Sequence, residues 1–364
     1  VRIAVPGRPY TVYVGHGLLE RTRELLAPQL PKGKLAVVSD STVARLYLHR
    51  LVGGLGGLVS EVPTWTIRPG ERSKTVGAAR RLWQFLLASG VRRDGCVMAL
   101  GGGVVGDLAG FAAATFMRGI SVVQIPTSLL AQVDAAVGGK TAVNLPRAKN
   151  MVGVFHQPAA VVASVDVLRT LSPRHYRSGL AEVVKTAVVG DADLFDLLEE
   201  RSTDVVARNC DVLGEIVARC CRVKGDIVAA DERDLGSREV LNFGHTLGHA
   251  LEEAAGFRGR THGEAVAIGM AWAADLSTVL GHCAPAEARR IPAVLRSLGL
   301  PTSLRGALPK GLPELMRWDK KARAPGIRVV ALESIGSCRV VGPVSEEELH
   351  ASLERFHSGG AHEP

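Results

Sequence analysis

The chain has 364 residues, 46% apolar and 22% charged, which is the balance of a folded protein and excludes a disordered one. That length exceeds one ordinary hydrophobic core, so two domains are expected. A net charge of +8 suits an anionic partner; with 4% aromatic residues and no long Lys/Arg run, a small anionic substrate fits better than nucleic acid.

Residues 2–15 alternate as two short strands around Pro6-Gly7, a hairpin pattern. Lys34–Asp40 reads as a buried strand, with a helix following from Ser41. Thr64–Lys74 is a strand running into a Pro-Gly loop, and 75–90 has helical periodicity. Cys96–Leu100 is an apolar strand entering the glycine-rich turn 101–107, then a helix to about 117. Ser121–Ile125 is a further strand, ending at Pro126. Strands and helices alternating in this way predict an α/β domain, Rossmann-like, with a mostly parallel sheet covered on both faces.

Beyond about 165 helical patterns dominate: 173–200, 203–230, 238–255, 263–280 and 286–298. Ser172-Pro173 is a capping hydroxyl followed by proline at the first turn. The expected division is therefore an α/β domain over 1–168 and a mainly α-helical domain over 169–364. Two late strands are expected at Ile327–Leu332 and Cys338–Val341, and the tail from Ser358 is expected to fray.

The six cysteines (96, 210, 220, 221, 283, 338) form no CxxC pair and read as reduced thiols of a cytoplasmic protein. The first residues lack the apolar core of a secretory leader. The apolar stretch 264–284 is interrupted by Glu264, Asp275 and His282, which predicts a buried helix and no membrane span.

Four stretches carry candidate chemistry. On a helix, Arg238, Asn242, His245 and His249 would share a wedge of roughly 60°, with Leu241, Leu247 and Leu251 opposite. Three of the chain's 11 histidines lie between 245 and 262. Two imidazoles at i, i+4 can reach one metal ion, and this spacing alone does not choose between His245 and His249. Gly244 and Gly248 would weaken a helix there, which makes sense if a backbone or ligand comes close. Gly101, Gly103 and Gly106 satisfy G-x-G-x-x-G between an apolar strand and a helix, the setting for a dinucleotide pyrophosphate. No acid lies about twenty residues further on, so a ribose carboxylate must come from elsewhere, with Asp40 and Glu71 as candidates. Gly138-Gly139-Lys140-Thr141 ends like a nucleotide-triphosphatase loop. However, Asp134 stands where that loop needs its first glycine, and a carboxylate would repel phosphate; an anion pocket with Lys149-Asn150 remains. Glu182 and Lys185, three apart on a helix, form either an ordinary surface pair or a metal carboxylate beside a phosphate-holding ammonium.

Pro-Gly-Glu71-Arg-Ser-Lys74, Gly-Gly-Gly-Val-Val-Gly-Asp107, Phe-Met-Arg118-Gly, the run from Ile125 through Asp134 and Lys140 to Asn144, Lys149-Asn150, Ala-Glu182-Val-Val-Lys185, Asn242-Phe-Gly-His245-Thr-Leu-Gly-His249 and His262-Gly-Glu-Ala together resemble the 3-dehydroquinate synthase family. The resemblance runs in order from about residue 30 to 340. It implies an architecture shared with metal-dependent polyol dehydrogenases, and Zn²⁺ (or Co²⁺) held by Glu182, His245 and His262. It implies NAD contacts from Asp40, Glu71, Lys74, Gly102, Gly103, Asp107, Thr127, Ser128, Lys140, Lys149 and Thr170, with Gly106 completing the glycine motif. Substrate contacts are implied for Asp134, Lys140, Asn150, Lys185, Lys224, Arg238, Asn242, His249 and a lysine of Asp319-Lys320-Lys321. Of these, Lys185, Lys224, Arg238, Asn242 and His249 are the implied catalytic group. Arg118 is implied to reach the phosphate site of a neighbouring subunit, hence a homodimer.

The implied reaction turns 3-deoxy-D-arabino-heptulosonate 7-phosphate into 3-dehydroquinate and phosphate, with NAD regenerated, as a step toward aromatic amino acids. Arg238, Asn242 and Asp319-Lys320-Lys321 favour this substrate over phosphosugars without a carboxylate. The alternatives are a relative acting on an amino analogue or another sugar phosphate, and a polyol dehydrogenase that releases NADH.

Overall fold

The computed structural model describes every residue except 31, 57–61, 147, 257–258, 305–307, 310, 318–326 and 361–364. Two compact units emerge: Val1–Leu171 with Cys210–Arg233, and Ser172–Asn209 with Asp234–Pro364. The sequence reading divides the chain at 168/169; in the structure the first unit ends at Leu171 and also takes in 210–233.

The first unit runs β1 (Arg2–Ile3), β2 (Tyr10–Gly15), α1 (Thr22–Leu26), β3 (Leu35–Asp40), α2 (Ser41–Gly54), β4 (Thr64–Ile67), α3 (Val76–Ala88), β5 (Cys96–Gly101), α4 (Gly103–Thr115), β6 (Ser121–Pro126), β7 (Lys140–Leu145), β8 (Ala148–Phe155) and β9 (Ala160–Ser164). Among the described residues one sheet has the order β1-β2-β9-β6-β5-β3-β4, parallel except for β1–β2. β5 and β9 are buried along their whole length, as parallel strands covered on both faces must be. Alternate residues serve opposite layers: Ala36, Val38, Val97 and Ala99 pack with α3 and α4, while Val37, Cys96, Met98 and Leu100 pack with α1 and α2.

Taking β3, β4, β5, β6 and β9 as first to fifth, their spatial order is 2-1-3-4-5. Connections therefore reverse between β3 and β5, and in open α/β sheets ligands bind beyond the strand ends at that point. Asp40 and Gly101–Gly103 sit at those two ends. The hairpin β7–β8 and strand β9 are absent from the sequence reading. β7 lies on α4, where a Cβ at Gly110 would come within 2.5 Å of Thr141 Cγ2. Between β6 and β7, one π-helical turn covers Ala131–Ala135 and contains Asp134.

The second unit begins with α5 (Pro173–Gly190), α6 (Ala192–Glu200) and α7 (Ser202–Val206). The chain then returns to the first unit as α8 (Cys210–Ala230). There α8 packs on β1, β2 and the π turn, and Gly225 leaves room for Ile3, whose Cδ1 would lie 2.4 Å from a Cβ. The second unit resumes with α9 (His245–Ala254), α10 (His262–Val279), α11 (Pro285–Ser297), α12 (Leu312–Arg317), the hairpin β10 (Ile327–Ser334) and β11 (Ser337–Val344), and α13 (Glu346–Gly360). α13 continues past Ser358, from which fraying is expected; 361–364 lie outside the described residues. α10 is the hub, buried on most sides and tied to α13 by Trp272 Nε1, which donates to Ser352 Oγ at 3.1 Å. Among the described residues no helix is long and apolar enough to cross a membrane.

The expected helix over 238–255 is two pieces. A 3₁₀ turn covers Ser237–Asn242, Gly244 takes φ 77°, and α9 starts only at His245. The cause is the backbone of α10. A Cβ at Gly244 would meet Met270 N at 2.7 Å, and one at Gly269 would meet Gly244 O at 1.9 Å. The single-helix wedge of Arg238 with His245 is therefore not the observed geometry, although Leu241, Leu247 and Leu251 are buried as expected.

Candidate active site

In the second unit, three helices bring a carboxylate and imidazoles together. α5 is started by Ser172, whose Oγ accepts from His175 N, with Pro173 at its first position. Midway along it Glu182 and Lys185 are both buried, at 1% and 3% exposure, so they are no surface pair. Lys185 Nζ donates to Glu182 Oε2 at 2.5 Å. The other oxygen, Oε1, lies 3.1 Å from His262 Nε2 and 3.7 Å from His245 Nε2. His245 opens α9, released from the preceding turn by left-handed Gly244. His262 opens α10, where Thr261 Oγ1 accepts from Glu264 N at 3.2 Å and Thr261 N donates to Glu264 Oε2 at 2.6 Å. That capping box fixes the helix start, and with it the backbone of His262.

The packing below explains why the approach is possible. A Cβ at Gly248 would lie 3.2 Å from Val266 Cα, and one at Gly263 2.2 Å from Ser178 O. α9, α10 and α5 thus meet backbone to backbone, which brings short-reach ligands within range of one another. The glycines anticipated as contact points do face another backbone.

The electrostatics are those of a site made for a cation. Burial would raise the Glu182 carboxyl, but the Lys185 ammonium and the two imidazoles outweigh it and hold the group well below the usual carboxylate range. Burial pushes His245 down to about 3 despite the Glu182 carboxylate, so it is a neutral imidazole. Burial would also lower His262, yet its hydrogen bonds to Glu182 and Glu252 raise it to about 10. Ligand atoms of Glu182, His245 and His262 lie within 4.8 Å of one another. Two imidazoles and one carboxylate are the donor set of a catalytic zinc with a position left for substrate, and they fit a divalent ion.

Around this cluster, His249 is exposed one turn along α9, its ring centroid 5.1 Å from that of His245. Spacing left these two equivalent; burial separates them. Arg238 is buried and Asn242 half-buried on the preceding 3₁₀ turn. Lys320 and Lys321 lie outside the described residues.

The first unit holds the other expected residues. Gly102 caps α4 and Gly103 opens it; a Cβ at Gly102 would press on Ser128 Oγ at 3.3 Å and one at Gly103 would touch Ala135 Cβ at 3.4 Å, so the turn is closely packed against the segment after β6. Gly106 instead faces β6, where a Cβ would lie 2.8 Å from Gln124 Oε1. Helix N-termini bind phosphate, so the turn fits a dinucleotide. Asp40 Oδ1 accepts from Thr42 N and Val43 N, capping α2. Glu71 Oε1 accepts from Asn144 Nδ2 at 2.7 Å. Lys74 is buried; its Nζ donates to Asp107 Oδ2 and, at 2.5 Å, to Asn150 Oδ1. Burial pushes Asp107 up to about 6 against the pull of that ammonium. Asn150, assigned to substrate, therefore shares Lys74 with Asp107, assigned to NAD.

Lys224 Nζ donates to Asp134 Oδ1 at 2.5 Å and to Asp134 O at 2.6 Å, joining two implied substrate residues across α8 and the π turn. Thr127 N donates to Gly101 O, Ser128 Oγ accepts from Ala131 N, and the Thr170 and Tyr47 hydroxyls lie 2.5 Å apart. Lys140 is exposed and Lys149 half-buried. Arg118 is exposed at φ 67° in a turn where Met117 also has positive φ (50°). Sequence reasoning missed Glu252 and the Thr261–Glu264 capping box. The box was readable as T-x-x-E before an apolar run.

Comparison with known proteins gives a consistent picture. The model for 3-dehydroquinate synthase N-terminal matches residues 64–178, and that for 3-dehydroquinate synthase C-terminal matches 179–322. A 3-dehydroquinate synthase of Acidithiobacillus ferrooxidans is 45% identical over 354 residues, 97% of each chain. The solved structure of 2-epi-5-epi-valiolone synthase from Streptomyces hygroscopicus, with NAD⁺ and Zn²⁺ bound, is 32% identical with a TM-score of 0.84, covering 95% of this chain and 96% of that one. 2-Deoxy-scyllo-inosose synthase complexed with carbaglucose-6-phosphate, NAD⁺ and Co²⁺ shares the fold at a TM-score of 0.87 and 24% identity, covering 98% of this chain and 99% of that one.

Proposed function

The chain belongs to the 3-dehydroquinate synthase family, and from that premise we propose that it converts 3-deoxy-D-arabino-heptulosonate 7-phosphate to 3-dehydroquinate and phosphate. The observation that carries this reading is Glu182, buried, ion-paired to Lys185 and facing the Nε2 atoms of His245 and His262. Glu182, His245 and His262 would hold a divalent ion, which would supply Lewis-acid polarisation of a substrate oxygen, and the Gly101–Gly103 turn would hold NAD, which would supply a hydride acceptor.

The protein's own groups do the rest. Glu182 stays ionised, and the Lys185 ammonium offsets its charge while remaining close enough to bind an anionic substrate oxygen. His249, exposed beside His245, exchanges protons with the substrate. Arg238, Asn242 and Lys224 orient its carboxylate and phosphate, as do Asp134, Asn150, Lys140 and a lysine of 320–321. Asp40, Glu71, Lys74, Asp107, Thr127, Ser128, Lys149 and Thr170 position the dinucleotide. The metal is Zn²⁺, the enzyme is cytoplasmic, and it is a homodimer in which Arg118 serves the phosphate site of the second copy.

The test is phosphate release from the heptulosonate phosphate with NAD and Zn²⁺ present. Release should stop with chelator and return with zinc, while absorbance at the nicotinamide band stays flat over many turnovers. Steady accumulation of NADH without phosphate release would make it a polyol dehydrogenase instead.

A further inference from the structure

His262 is held from both sides. Its Nε2 lies 3.1 Å from Glu182 Oε1, and its Nδ1 lies 2.9 Å from Oε2 of Glu252, two residues before the end of α9. The other buried imidazole follows the same plan: His245 Nδ1 is 3.2 Å from Phe243 O, and its Nε2 faces Glu182 Oε1 at 3.7 Å. In both rings an oxygen acceptor sits behind Nδ1 and Nε2 is turned to one carboxylate oxygen.

We propose that Glu252 is a positioning residue of the metal centre: by accepting the Nδ1 proton it fixes the tautomer and ring plane of His262, so that Nε2 is the ligand atom. This rests on the metal triad of the proposed function. It matters most at His262 because that ring is about a third exposed, whereas His245 is locked by burial. The capping box sets the backbone of His262 but leaves its ring torsions open, and Glu252 closes that freedom. A carboxylate behind a metal-bound imidazole also increases its basicity as a ligand.

The same atoms permit a rival arrangement. His249, Glu252 and His262 form a second triad of ligand distance, in which Glu252 would itself bind the ion. Burial speaks against it, since His249 is exposed while Glu182 and His245 are buried.

Zinc affinity of the full-length protein, measured by competition with a chromophoric chelator, and the visible spectrum of the Co²⁺ form separate these cases. Glu252→Ala is expected to weaken zinc binding roughly tenfold to a hundredfold and to alter the Co²⁺ bands. Glu252→Gln, whose amide oxygen still accepts from Nδ1–H, is expected to recover most of the loss. Affinity within about twofold of wild type in Glu252→Ala, with His245→Ala losing the metal, overturns the role of Glu252 and leaves the triad standing. Wild-type affinity in His245→Ala, with binding abolished in Glu252→Ala, overturns both the triad and this role in favour of the rival.

Discussion

Metal uptake should expel one proton, and His262 should be its source. In the metal-free site His262 is raised to about 10 by the carboxylates on either side, so at pH 7 it is an imidazolium. Neither other ligand carries a proton to lose: Glu182 lies well below the carboxylate range and His245 is pushed down to about 3. A metal needs the free Nε2 lone pair, which only a small minority of molecules offers while the proton is held. Affinity at pH 7 is thus well below that of a fully deprotonated site. It should climb about tenfold per pH unit until the proton is gone near 10. An ordinary imidazole would give no slope above about 6.5. Titration calorimetry with Co²⁺ in buffers of different ionisation enthalpy, from pH 6.5 to 8.5, reads the proton count directly. The expected release is close to one per metal in the wild type, and it should vanish in His262→Gln. A bound water losing its proton would persist in that variant, so the control separates the two sources. A pH-independent affinity, or an unchanged release in His262→Gln, refutes the assignment.

Gly269→Ala drives a Cβ to 1.9 Å from Gly244 O and should cost about 3 kcal/mol or more in urea denaturation; Gly248→Ala, at 3.2 Å from Val266 Cα, should cost less. Equal penalties would mean that α9 and α10 yield freely. Lys185→Ala strands a buried carboxylate and should destabilise the metal-free protein by about 3 kcal/mol, with a smaller penalty at saturating zinc because the ion replaces the lost charge. An equal penalty with and without zinc would contradict this, and near-normal turnover in both Lys185→Ala and His249→Ala would refute their catalytic roles. Asp107 titrates near 6, being ionised above and neutral below, so NAD affinity should fall as pH drops through 6 in the wild type and stay flat in Asp107→Asn. Fluorescence titration with NAD checks this, and matching profiles would release Asp107 from the cofactor role.

How much of this was legible in the sequence depended on whether local pattern and tertiary cause coincide. A short unbroken apolar run such as Cys96–Leu100, closed by glycines, fits a strand buried on both faces, and the glycines directly after it mark the turn at the reversal of strand order. The hairpin β7–β8 carries no such mark. Lys140–Leu145 and Ala148–Phe155 mix polar with apolar residues, and Leu145, Met151 and Phe155 are exposed; their pairing is decided by the surface of α4. The helical pattern expected over 203–230 is two helices, α7 and α8, parted at 207–209, and the apolar stripe of α8 cannot say which core it joins. What decides is the fit of Ile3 into the notch at Gly225, more than two hundred residues away in sequence.

The candidate site divides along the same line. The helical repeat brought Arg238, Asn242, His245 and His249 to notice, although the chain breaks at Gly244 and the four do not share one helix. Spacing could not rank His245 above His249, because both obey the i, i+4 rule; the proposed triad takes His245 because it is the buried one, and burial is a property of the partner helix. Glu252 was invisible for a related reason. It stands three residues after His249 and seven after His245, yet the imidazole it holds is His262, on the next helix. A second carboxylate behind a ligand can be recognised only once the ligand's own orientation is known. The glycines that let α9 and α10 touch thus belong with the proposed metal site as much as Glu182, His245 and His262 do: the close contact at Gly244 and Gly269 sets the spacing at which both Nε2 atoms face Glu182.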